Sequence, residues 1–130
     1  MTPELLTATF LNQSTVTAVA SSVALSQLPK GATFPAIVYQ TIDLVPQRNV
    51  NHLDGTLAQA RVQITGIAKS IADLKSVLAA VRTVMDFQHN VTMGGATVVS
   101  SRFASMGFVD RDNESGLWVQ SADYLILFYE

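Results

Sequence analysis

Residues 122–129 read Ala122-Asp123-Tyr124-Leu125-Ile126-Leu127-Phe128-Tyr129, the most constraining stretch of the chain. Aromatic and branched apolar residues in a run of this length favour a β-strand. Successive side chains of a strand point to opposite faces, so Tyr124, Ile126 and Phe128 share one face and Leu125, Leu127 and Tyr129 the other. Both faces are therefore apolar, as in a strand that is covered on both sides.

Working outward, this strand extends over Leu117 to Tyr129 and follows a charged turn from Asp110 to Gly116, itself preceded by a strand from Thr97 to Met106. Gly94-Gly95 separates that strand from a helical region and reads best as a hairpin turn. The helix spans Lys69 to Phe87, because Ile71, Leu74, Leu78, Val81 and Met85 recur at spacings of three and four, and Ser70 with Asp73 provides a cap signature. Upstream, Ala58, Ala60, Val62 and Ile64 alternate with Gln59, Arg61, Gln63 and Thr65, which predicts a strand with one dry face. A polar loop from Pro46 to Gly55 joins it to a strand over Ala36 to Ile42, led by Pro35. Thr2, Pro3 and Glu4 predict the start of a helix that buries Leu5, Leu6, Phe10 and Leu11. From Asn12 to Ser26 no period emerges, and a second helical turn and a short strand are both allowed.

The order helix, strand, strand, helix, strand, strand predicts one α+β domain over residues 1–130. Its mainly antiparallel sheet has about four strands, with two helices packed on one face. Two helices cannot cover both apolar sets of the last strand. The second set is left to the Asn12 to Ser26 segment or to a neighbouring subunit.

The 130 residues are 48% hydrophobic and only 14% charged, well below the roughly 25% charge of an average soluble domain. The eight Lys and Arg are scattered and the net charge is -2, which disfavours DNA binding by phosphate attraction. Cysteine is absent, so disulfides, thiolate metal sites and cysteine nucleophiles are excluded. The longest apolar run, Tyr124 to Tyr129, is far short of a membrane span. Glu4 is the only charged side chain before Lys30, so a secretory signal is not expected, and the protein is expected to stay in the cytosol where it is made.

Candidate chemistry is sparse. His52 and Asp54 share a polar loop with Arg48, the minimum for acid–base work, but Asp54-Gly55 is more simply a turn. His89-Asn90 reads as the last turn or cap of the main helix. No nucleophile elbow, phosphate loop or complete calcium loop is present, so no catalytic residue, cofactor or metal site is assigned. Trp118 and the aromatics of the last strand would stack on bases only if exposed beside cations. Their flanks are Asp123 and Glu130, and a structural core is the commoner role.

The stretch Val23 to Gln40, with its Pro29-Lys30-Gly31 turn and Pro35-led strand ending in Tyr39-Gln40, resembles a family of small tailed-phage proteins. These are the tail-completion or head-to-tail joining proteins, which include tail terminators. Asp54-Gly55, Ala60 to Ile64, the Ser70 to Phe87 helix and Ala122 to Tyr129 continue the resemblance, while the polar loop from Pro46 to Asp54 is longer than the usual pattern. The resemblance implies a structural virion protein of the tail or neck, assembled in the host cytoplasm, with no enzyme activity. It further implies a homo-hexameric ring that stops growth of the tail tube, contacts the tail tube protein and head–tail connector proteins, and lets DNA pass without specific binding.

Arg48, His52 and Asp54 in one loop, Phe108 and Arg111 in another, and Leu125 and Leu127 on the last strand are the candidate subunit or partner contacts. The alternative is a small ligand- or peptide-binding module that uses the open sheet face. An enzyme built on His52 and Asp54 is a third reading.

Overall fold

In the computed structural model, which describes residues 2–47, 57–93 and 95–129, three helices and seven strands follow one another. They are α1 (Pro3–Leu11), α2 (Ser14–Thr17), β1 (Ser22–Leu25), β2 (Ala36–Gln47), β3 (Leu57–Ala68), α3 (Ile71–Met85), β4 (Gln88–Met93), β5 (Ala96–Met106), β6 (Asp110–Arg111) and β7 (Trp118–Tyr129).

The alternating strand and the strand that is apolar on both faces lie at the centre. β3 and β7 pair antiparallel along their whole length, from Leu57 opposite Tyr129 to Ala68 opposite Trp118. The strand order is β1-β2-β3-β7-β5-β4, and β6 pairs with the start of β7. All pairings are antiparallel except β1 with β2, so the sheet is mixed, and it curls into a half-barrel.

All three helices bury their apolar residues against one face. Leu6, Phe10 and Val16 from α1 and α2, with Val77, Val81 and Met85 from α3, enclose Val62, Ile64, Tyr124, Ile126 and Phe128 of the sheet. Removing each large apolar side chain from water contributes about 1.5–3 kcal/mol, so this layer dominates the folding energy. The dry face of β3 is built mainly of small residues, Ala58, Ala60, Gly66 and Ala68, which lets α3 approach closely. At Gly66 an added Cβ would lie 3.1 Å from Leu74 Cδ1 and 3.1 Å from Leu78 Cδ2.

Local signals place the helix starts. The Leu5 amide donates to Thr2 Oγ1 at 3.2 Å, and the Asp73 amide donates to Ser70 Oγ at 3.2 Å. The α3 stripe holds Leu74, Leu78, Val81 and Met85 as expected and adds Val77 and Val84, whereas Ile71 is exposed. In α1, Leu5 is 58% exposed while Leu6, Phe10 and Leu11 are buried.

The expected four-stranded, mainly antiparallel α+β sheet with two helices is wrong. The described residues are 49% strand, in seven strands, with three helices. The missing strands are those with the weakest patterns. β1 has four residues and joins the sheet by pairing parallel to β2, with Ser22 opposite Ala36, so the open Asn12 to Ser26 segment yields both a helical turn and a strand. β4 begins with the polar residues Gln88-His89-Asn90, which the expected helix end absorbed. His89 is therefore not a helix cap but a strand residue opposite Ser100. β6 has two residues and is held by β7, with Asp110 opposite Val119. Each depends on a neighbouring strand and not on its own periodicity.

Candidate interaction surface on the open sheet face

The sheet face turned away from the helices is built by rungs running across the strands. One rung joins Asp43 of β2, Arg61 of β3, Leu125 of β7 and Arg102 of β5. The next joins Val45, Gln59, Leu127 and Ser100. On the other side of the first rung, Gln40, Gln63, Asp123 and Ser105 form a polar row. Apolar Leu125 and Leu127 thus lie half-buried in a frame of polar side chains.

Arg61 is turned along its own face. Its guanidinium meets the Asp123 carboxylate at 2.9 Å and donates to Ser105 Oγ at 3.3 Å. Gln40 Nε2 donates to Gln63 Oε1 at 2.8 Å, and the hydroxyls of Thr65 and Ser121 are 3.0 Å apart. Two shallow, open depressions result. One, of about 280 Å³, is lined by Asp43, Val45, Gln59, Arg61 and Leu125. The other, of about 140 Å³, lies over Gln59, Ser100, Arg102, Leu125 and Leu127. Neither encloses the convergent polar groups that a small-molecule site needs.

At the far end of β7 a second cluster forms. Phe108, in the connection between β5 and β6, is 82% exposed. The Arg111 guanidinium lies 5.6 Å from the centre of the Trp118 ring, a cation–π contact. Below it, the Asp112 carboxylate accepts from Ser115 Oγ at 2.8 Å and from the Glu114 amide at 3.1 Å, and these bonds hold its pKa below the ordinary carboxylate range. The Asp110 to Gly116 turn is therefore self-contained, and Gly116 closes it at φ 72°.

Of the residues expected to make contacts, Leu125 and Leu127 fall together on the open face. Arg111 falls beside Trp118, about 23 Å from Leu125 at roughly 3.3 Å per strand residue, and Phe108 lies against Val119, Gln120 and Ser121. Arg48, His52 and Asp54 lie outside the described residues. Sequence reading missed the Arg61–Asp123 pair and Arg102 on the open face. Alternation placed Arg61 on the wet side of β3, but only the β3–β7 register brings Asp123 within reach. The aromatic platform is excluded for two of its rings, because Tyr124 and Phe128 are fully buried. Among the described residues no three His, Asp or Glu side chains gather into a metal site, and no helix is long and apolar enough to cross a membrane.

Residues 4–129 match the family described as tail completion protein gp17. The chain belongs to that family. A chain in the solved virion of a native gene transfer agent particle has a similar fold, with a TM-score of 0.71 over 98% of this chain and 96% of that one, at 13% identity. A second solved structure aligns over 100% of this chain and 96% of its own, with a TM-score of 0.50 and 15% identity. No curated protein matches the chain. This family member is a structural phage tail protein and a virion component, working through contacts with other tail or virion components.

Proposed function

We propose that several copies of this protein close into a ring, six by the family resemblance, at the end of the tail tube or at its joint with the head connector. There the ring terminates the tube and joins it to the capsid side while DNA passes through. The observation that carries this reading is the open sheet face, where Leu125 and Leu127 lie half-buried with no described helix above them. An apolar strip inside a polar frame is the composition of a protein contact surface. Leu125, Leu127, Phe108 and Arg111 are the contact residues among the described positions, and Arg48, His52 and Asp54 extend the set into the neighbouring loop. The protein acts by surface complementarity and not by catalysis.

DNA passes without being held. The Arg61 charge is offset by Asp123 at 2.9 Å, and the whole chain carries a net charge of -2, so among the described residues no row of free cations faces a duplex. The test is a particle-forming system lacking this protein. Tails of unregulated length, or tails detached from heads, are expected by electron microscopy. Restoration is expected from the native chain and not from Leu125→Glu with Leu127→Glu. Normal joined particles in the absence of the protein would remove the reading.

A further inference from the structure

The two ends of the sheet differ in chemistry, and together they suggest how copies meet. β1 covers the outer edge of β2 only from Ala36 to Tyr39, so among the described residues no strand pairs with that edge beyond Tyr39. This free arm exposes Ile42, Leu44 and Val45 by 40–49%. A register shift between Thr41 and Asp43, the charge of Asp43 and Pro46 all blunt the edge against indiscriminate strand pairing. An edge guarded in this way that still exposes three large aliphatic side chains is suited to side-chain docking on one particular partner.

The opposite end of the sheet offers the complement. Phe87, between α3 and β4, is 79% exposed and sits at φ 56°, a strained backbone for a bulky residue. Its amide donates to Asp86 Oδ1 at 3.1 Å, which holds the turn. Gln88 pairs with Ser101, so Phe87 adjoins Arg102, which is exposed and has no ion-pair partner among the described residues. Arg102 and Asp43 close the two ends of the same rung, and Asp43 too has no ion pair among the described residues, Arg61 being turned to Asp123.

We propose that the β2 arm of one copy docks against the β4–β5 end of the next. Phe87 then packs on Ile42, Leu44 and Val45, and Arg102 meets Asp43. The partner is a second copy of this chain, because the two ends carry opposite charges at Asp43 and Arg102 and each exposes apolar surface for the other to cover. Two different patches make the contact heterologous, the kind that generates rings when the rotation closes. The inference rests on the ring reading above and assigns its interface.

Absence of native cysteine makes disulfide trapping clean. The full chain carrying both Ile42→Cys and Phe87→Cys, oxidised at high protein concentration, is expected to give a covalent ladder that stops at the ring size. Each single-cysteine variant is expected to stay unlinked. Asp43→Arg or Arg102→Asp alone is expected to lower the ladder yield roughly ten-fold, and the two together to restore it to within about two-fold. Circular dichroism confirms that each variant is folded. A ladder absent from the double-cysteine chain, or a dimer from Ile42→Cys alone, overturns the interface. Light scattering of the native chain separates the two levels. An oligomer without a ladder leaves the ring reading standing with another contact, whereas a monomer without a ladder counts against both.

Discussion

The Asp86 carboxylate accepts a hydrogen bond from the Phe103 amide at 2.9 Å, fastening the end of α3 to a strand that sequence distance keeps apart from it. The same carboxylate accepts from Arg82 Nε at 3.2 Å, and the Arg82 guanidinium lies 4.2 Å from the centre of the Phe103 ring. A helix terminus, a sheet strand and the exposed Phe87 turn thus share one anchor.

Burial pushes the Asp86 pKa up, but the hydrogen bonds from Phe103, Arg82 and Phe87 outweigh it and leave the group below its ordinary value. A lowered folded pKa adds stability that is complete above the unfolded value and is lost as the pH falls through the folded one. Asp86→Ala is expected to cost about 1–3 kcal/mol at neutral pH by urea unfolding, and the difference from the native chain is expected to shrink below about pH 4. A difference that does not change with pH would show that the ionised carboxylate is not the anchor.

Tyr124 is fully buried, and its hydroxyl has no hydrogen-bond partner among the described residues, while its ring meets Phe103 edge-on at 5.7 Å. Burial raises the phenol pKa far above its usual value. Tyr124→Phe keeps the ring contacts and removes an unpaired polar atom, so it is expected to leave stability unchanged or raise it by about 1 kcal/mol. A loss of more than that in thermal unfolding would reveal a bond to the hydroxyl.

Gly66 lies under Leu74 and Leu78, with 3.1 Å from an added Cβ to the nearest methyl of each. Gly66→Ala is expected to destabilise by about 1–2 kcal/mol through overpacking. In a Leu78→Ala background the cost is expected to fall, because one of the two close contacts is removed while that with Leu74 remains. A double-mutant cycle by chemical unfolding reads this coupling, and simple additivity would contradict it.

Asp123→Asn leaves Arg61 without its ionised partner. The pair is partly exposed, at 34% and 19%, so the expected stability loss is at most about 1 kcal/mol. Duplex DNA binding measured by fluorescence anisotropy at low and high salt is expected to be weak for the native chain and stronger and more salt-sensitive for the variant. Tight, salt-sensitive binding by the native chain would contradict the neutral-conduit reading.

Much of the architecture is written in local pattern. Alternation in residues 58–65 specifies one central strand, because burying one face of a strand imposes a period of two on its sequence, and the unbroken aromatic and branched run of 124–129 specifies the other. The α3 stripe and its Ser70 cap are equally local, and the two apolar faces of residues 124–129 already require a second covering layer or partner. Tertiary structure alone recruits β1, β4 and β6, whose short or polar segments gain their hydrogen bonds only from strands already in place. It alone brings Arg61 to Asp123, 62 residues apart, and puts Asp43 and Arg102 at opposite ends of one rung. Such pairs depend on register between strands, and register is set by the packing of the whole sheet rather than by either partner's neighbours in the chain.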